Sequence, residues 1–225
     1  MSAAEASTAP EATRALETLA IAGARLVEAG LSPGSSDGDR IYITGTGASL
    51  GRLTEANIAV LDLDGAHVGG ARASKEAPLH VGFYRRDDTH RAVVHLHSPS
   101  AVAVSCLEPW GVNSAIPPLT PYFVMRVGQT PLLPYRHPGD TALGEDVSGC
   151  AMPMRAALLA NHGSVVAGSD LDDAVDRAIE LEEACRIMLL TAGAERRELS
   201  AAQVHELSTR WDSPWTVEAT PAAVH

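Results

Sequence analysis

The chain has 225 residues, 45% of them hydrophobic and 20% charged, enough apolar material for one full core and close to the balance of ordinary globular proteins. Its formal net charge of -11 at pH 7 argues against nucleic acid or an anionic membrane surface as the main partner, and no apolar run approaches the roughly 18 residues of a membrane span. Cys106, Cys150 and Cys185 are an odd, scattered set without metal-finger spacing, which predicts reduced thiols in a soluble cytoplasmic protein.

Residues 1–10 have little to bury and predict a flexible start. From Glu11 to Gly30, apolar residues at Leu16, Leu19, Ile21, Leu26 and Val27 predict an amphipathic helix stopped at Gly30. Leu31 to Asp39 is rich in Gly, Ser, Pro and Asp and predicts a loop. Arg40–Thr44 predicts a strand that feeds the glycine loop Thr44–Gly47. Ile58–Leu63 predicts a second strand, turning at Asp64-Gly65 into a partner around His67 and Val68. Glu76 to Arg86 predicts a helix. Ala92 to His97 predicts a buried strand, and Pro99 to Leu107 the helix after it.

Ile116 to Tyr122 is broken by prolines, with a helical turn expected at Phe123–Val127. Leu132–Tyr135 predicts a strand, and Pro138–Asp140 a turn into another helix. Ala156–Ala160 and Ser164–Ala167 predict a strand pair around Asn161-His162-Gly163. Ser169 is expected to cap a long helix with the stripe Leu171, Val175, Ala178, Leu181, Cys185 and Met188. A short helix near Ala201–Leu207 precedes a proline-containing tail over 211–225. Strands dispersed among helices, several as hairpins, predict one domain over 11–210. Its expected class is α/β with an α+β-like character, a mainly antiparallel sheet flanked by helices.

The chemistry concentrates in two stretches. In His95-Leu96-His97 the strand period of two points both imidazoles to one side, where one metal ion can bind both. His162, at the end of an apolar strand, is the candidate third ligand, leaving an open position for catalysis. Three neutral imidazoles suit Zn²⁺ or a similar borderline ion. Taken singly, each of these histidines reads equally well as a hydrogen-bonded core ring. His67, His80, His90, His137, His205 and His225 lack such context and receive only that reading. Glu76 is the candidate acid/base, against the alternative of a solvated residue in a first helical turn. Lys75 beside it is the only lysine among 17 cationic residues, and a compact ammonium offers what arginine does not. Thr44-Gly-Thr-Gly47 is either a plain turn or a small anion cradle of N–H groups and hydroxyls.

Together these segments resemble the class II aldolase/adducin family of metal-dependent sugar-phosphate lyases and epimerases, over about Gly30 to Leu190. The resemblance implies His95, His97 and His162 as zinc ligands, and Glu76 as acid/base and a possible fourth ligand. It places Thr46, Gly47 and Ser74 on phosphate, and inserts Tyr122 into a neighbouring subunit's site. It also implies a C4 homotetramer with active sites between subunits. Ser74-Lys-Glu76, Ala92–Ser98, Leu119–Gly128 and Pro131–Asp140 are most similar to the family's 3-oxo-tetronate 4-phosphate decarboxylases. That branch releases CO₂ and dihydroxyacetone phosphate through a metal-stabilised enediolate, and Lys75 would hold the substrate carboxylate. The alternative is a fuculose-phosphate-type aldolase. A silent adducin-like interaction domain would predict loss of the histidines or Glu76, and all four are present. A three-histidine iron oxygenase would depend on O₂. Relatives carry a Gly-Asn strand just before the Thr-Gly-Thr-Gly loop. Here Gly34–Arg40 runs almost directly into Ile41, so most of that strand is expected to be missing. Phosphate contacts would then be rebuilt from Ser35, Ser36 and Thr46, or the substrate would differ.

Overall fold

The structure, a computed structural model, describes residues 17, 19, 31–48 and 53–216. Its strands are β1 (Leu31–Asp37), β2 (Arg40–Thr44), β3 (Ile58–Asp62), β4 (His67–Gly70), β5 (Ala92–Leu96), β6 (Leu132–Leu133), β7 (Ala156–Leu159) and β8 (Gly163–Gly168). Its helices are α1 (Ala77–Arg86), α2 (Pro99–Ser105), α3 (Ala142–Gly149), α4 (Leu171–Leu190) and α5 (Ala201–Arg210). The strands form one sheet in the order β4-β3-β2-β1-β5-β8-β7-β6. Every pairing is antiparallel except β6 with β7. The predicted mainly antiparallel α/β sandwich is therefore the fold observed.

Period-two alternation explains the layers. Every residue of β5 is buried. Ala92, Val94 and Leu96 enter one core with Leu158, Val166, Leu171, Val175 and Leu181, beneath α2 and α4. Val93 points to the other face, with Leu79, Phe83, Leu143, Val147 and Val165 beneath α1 and α3. A strand buried on both faces must be apolar throughout, and each fully buried aliphatic side chain contributes about 2 kcal/mol. His95 is the one polar residue in that run, and it shares the face of Val93 and α1.

The expectation of a loop over Leu31–Asp39 is corrected: Leu31–Asp37 is a central strand. β1 pairs with β2 on one edge and β5 on the other. Strand pairing uses backbone groups, which Gly and Ser supply as well as Val does. Gly34 is required there, because a Cβ would lie 2.9 Å from His80 Nδ1 and 3.3 Å from the Tyr42 carbonyl. The hairpin to β2 closes through Gly38, whose φ of 59° suits glycine.

Most of the helix predicted from Glu11 lies outside the described residues. Glu17 and Leu19 are helical, and Leu19 is fully buried. The cap of α4 is Asp170 rather than Ser169, since its side chain accepts the Asp173 N–H at 2.8 Å. The start of the tail is docked: Trp215 packs edge-on against Phe123 with ring centroids 6.0 Å apart. The expected turn at Phe123–Val127 is a single π-helical turn. Among the described residues, no helix is long and apolar enough to cross a membrane.

Candidate active site

β5 delivers His95 inside the sheet, and His97 follows directly after its last residue. His162 sits in the tight turn between β7 and β8, where Asn161 adopts φ 58°. Because β8 pairs with β5, that turn stands beside the end of β5. The three rings converge: centroids are 4.8 Å apart for His95–His97, 5.0 Å for His95–His162 and 4.8 Å for His97–His162. One nitrogen from each lies within 4.8 Å of the others. His95 is 2% exposed, His162 half-buried and His97 exposed, so the cluster opens on the His97 side.

Hydrogen bonding fixes the chemistry of His95. Its Nδ1 lies 2.8 Å from the Ser164 carbonyl, which can only accept, so Nδ1 carries the proton. In the neutral ring Nε2 is then a bare lone pair, and it faces His97 Nε2 at 3.0 Å. Burial pushes all three rings below the ordinary histidine value, and repulsion from His97 and His162 pushes His95 lower still. His162 Nδ1 is buried without a hydrogen-bond partner in the protein. Neutral imidazoles with lone pairs aimed at one point fit a divalent metal such as zinc.

Glu76 is the residue immediately before α1 and stands beside this group rather than within it. Burial raises its carboxyl above the ordinary glutamate value. Opposing that are the positive field of His97, the backbone N–H of Gly139 and the Lys75 ammonium. Oε2 of Glu76 has no hydrogen-bond partner in the protein. Lys75 is exposed, and the Pro138–Asp140 turn folds over its stem: a Cβ on Gly139 would lie 3.2 Å from the Lys75 Cβ. The expected turn at Pro138 thus reaches the candidate acid/base.

The glycine loop is tied to the same segment. Thr46 donates its N–H to the Arg72 carbonyl at 2.9 Å and its hydroxyl to the Ala73 carbonyl at 2.8 Å. Ser74 donates its N–H to the Thr44 carbonyl, and its hydroxyl accepts from the Glu76 N–H at 3.3 Å. Thr46, Gly47, Ser74, Lys75 and Glu76 are therefore neighbours, but both donors of Thr46 are already spent on carbonyls. Ser35 and Ser36 are not brought to the site. β1 pairs Ser32 with His95 and Ser35 with Ala92, which sets Ser35 about 10 Å down the strand. Ser36 gives its hydroxyl and N–H to the Arg91 carbonyl. On this register both serines lie along β1 away from the three histidines. Tyr122 is 57% exposed, with the Arg126 guanidinium 5.7 Å from its ring centroid. The turn after it packs on α4, across the sheet from α1.

His80 was assigned no role from sequence. It is fully buried on α1, and its field acts on His95. Its spacing from Glu76, i to i+4 on a helix, was the available signal that both share a face.

The model of the Class II Aldolase and Adducin N-terminal domain matches residues 17–189. A 3-oxo-tetronate 4-phosphate decarboxylase of Haemophilus influenzae is 44% identical over 174 residues, covering 77% of this chain and 83% of that protein. An L-fuculose phosphate aldolase of Methanococcus maripaludis is 35% identical over 151 residues, 67% of this chain and 79% of its own length. The solved structure of YgbL from Klebsiella pneumoniae superposes with a TM-score of 0.81 at 36% identity, covering 87% of this chain and 98% of that one. Matched sequence, matched fold and a three-imidazole cluster at the strand ends agree: the chain belongs to the class II aldolase and adducin family.

Proposed function

We propose that the chain is a metal-dependent carboxy-lyase that converts a 3-oxo-tetronate 4-phosphate to dihydroxyacetone phosphate and CO₂. One observation carries the chemistry: a half-buried carboxyl, Glu76, raised by burial and beside three imidazoles that converge on one point. The likeness to the Haemophilus decarboxylase carries the substrate. His95, His97 and His162 would hold Zn²⁺ or another divalent ion, and Glu76 beside them would serve as a fourth ligand before substrate enters. When bound, such an ion supplies Lewis-acid stabilisation of negative charge on the substrate oxygens.

The side chains divide the remaining work. Lys75 pairs with the C1 carboxylate, while Ser74 and the Thr46–Gly47 loop lie toward the phosphate. The C1–C2 bond breaks, CO₂ leaves, and the electron pair spreads from C2 towards the C3 oxygen. Glu76 gives its proton to C2 and recovers one from water. A raised carboxyl is suited to this, because it stays protonated closer to neutral pH than an ordinary glutamate. Tyr122, exposed on this subunit, would complete a neighbour's site in a homotetramer, and the setting would be cytoplasmic.

The test pairs metal analysis with CO₂ release from 3-oxo-tetronate 4-phosphate, comparing wild type with Glu76→Gln. Metal near one per subunit, with release lowered about 10²–10⁴-fold in the variant, supports the proposal. Bound metal without CO₂ release sinks the substrate assignment. The likeness to the Methanococcus aldolase makes ketose-phosphate cleavage the next assay. A wild type that binds no metal removes the basis of the site.

A further inference from the structure

His97 is the exposed member of the cluster and lies past the last paired residue of β5, so the sheet alone does not hold it. The chain turns immediately into α2, whose first residues are held by a carboxylate from α4. Glu182 Oε2 accepts from the Ser98 hydroxyl at 2.7 Å and from the Ala101 N–H at 2.8 Å, and Oε1 accepts from the Ser100 N–H at 2.8 Å. Ser98 occupies the cap position but makes no capping bond of its own; Glu182 caps the helix in its place. Pro99 has no N–H to satisfy. Three donors between Ser98 and Ala101 thus end on one side chain, more than eighty residues away along the chain.

The far end of α2 carries the third histidine. The carbonyl of Ser105, the last residue of α2, accepts the Asn161 N–H at 3.0 Å, and His162 is the next residue. α2 is therefore a strut between the segments that carry the two less buried imidazoles, starting just after His97 and ending on Asn161, the residue before His162. His95 needs no such strut, because its ring is fixed by the Ser164 carbonyl.

We propose that Glu182, which touches none of the three rings, is the positioning residue that sets the separation of His97 from His162 and so the affinity of the site for metal. The inference rests on the metal reading above. Its effect is transmitted through backbone, as with groups that orient metal ligands from behind and whose loss weakens binding about 10–100-fold. In Glu182→Gln one carboxylate oxygen becomes an NH₂, which cannot accept from a helix N–H, so at least one clamp bond is lost.

Zinc affinity is measured by competition with a chromophoric chelator, for wild type, Glu182→Gln, Ser98→Ala and Asp170→Ala, alongside the thermal midpoint of each metal-free protein. Asp170→Ala removes the cap of α4 and serves as a pure stability control. The expected result is zinc binding weakened about tenfold or more in Glu182→Gln, less in Ser98→Ala, and unchanged in Asp170→Ala despite its lower midpoint. Wild-type affinity in folded Glu182→Gln overturns the inference, as does equal weakening in Asp170→Ala. Should Glu182→Gln not fold, wild-type affinity in Ser98→Ala overturns it. A wild type that binds no zinc instead overturns the metal reading.

Discussion

At one end of β5, β7 and β8, arginines finish the hydrogen bonding of the backbone. Arg86 donates to the Val147, Cys150 and Met152 carbonyls, Arg177 to the Ala167 carbonyl and the Asp173 carboxylate, and Arg155 to the Asp212 carbonyl. A cavity of about 770 Å³ lies among them. At the other end, His162 Nδ1 and Glu76 Oε2 are buried without protein partners, and nitrogens of His95, His97 and His162 face one another. Ser213 Oγ, which lines that cavity, is also buried without a partner, so the ends differ in kind: carbonyls capped by guanidinium groups at one, a carboxyl and converging imidazoles at the other. Buried polar groups are ordinarily paired, so unpartnered groups that can also ionise or ligate, as at the histidine end, mark function.

Three perturbations separate the two ends. The largest effect is expected from His95→Ala, which removes the buried ligand. Zinc binding should fall more than about 100-fold with the circular dichroism of the fold retained, as checked by elemental analysis after dialysis. Zinc held at wild-type level would break the contrast.

Arg86→Ala acts at the arginine end and should do the reverse. Three carbonyls lose their donor, so stability should fall by about 2–4 kcal/mol in urea titration, while activity per folded molecule stays unchanged. Loss of activity without loss of stability would show that the two ends are not separate.

The smallest effect is in pH. His90 lies at the arginine end, and burial depresses its ring from the ordinary value of 6.5. A depressed folded value means that the unfolded chain takes up the proton first. The stabilising contribution is whole above pH 6.5 and is lost as pH falls towards the folded value. In metal-free protein the three site histidines add the same sign. His90→Gln should therefore flatten, without abolishing, the decline of the thermal midpoint below pH 6.5. An unchanged slope would remove His90 from the account.

How much was legible in the sequence follows from what each signal encodes. His95-x-His97 on an apolar run was legible because strand period alone aims both rings the same way. His162 was legible because a polar Asn-His-Gly interrupts two apolar strands. Glu76 was legible beside the lone lysine. β1 was not, because Gly, Ser and Pro carry loop statistics, whereas a central strand needs only backbone pairing once its neighbours supply the core. The distance of Ser35 and Ser36 from the histidines was hidden for the same reason, since register along β1 is set by β2 and β5. Glu182 was invisible as well: nothing local distinguishes it from the solvated carboxylates of α4, and only the tertiary fold sets it against α2.

The sheet order carries a kinetic consequence. β1 to β4 are successive hairpin neighbours and can pair while the contacts are still local, but β5 meets β8 only after a long excursion. His95 and the Ser164 carbonyl that fixes its tautomer are 69 residues apart in the chain. Closing such a loop carries an entropic cost that grows with its length, and non-local pairings of this kind are slow to form. A growing or truncated chain ending before β8 holds two imidazoles with neither the third ligand nor the carbonyl that turns His95 the right way. The three imidazoles therefore come together only once β8, the last strand in the chain, has joined the sheet.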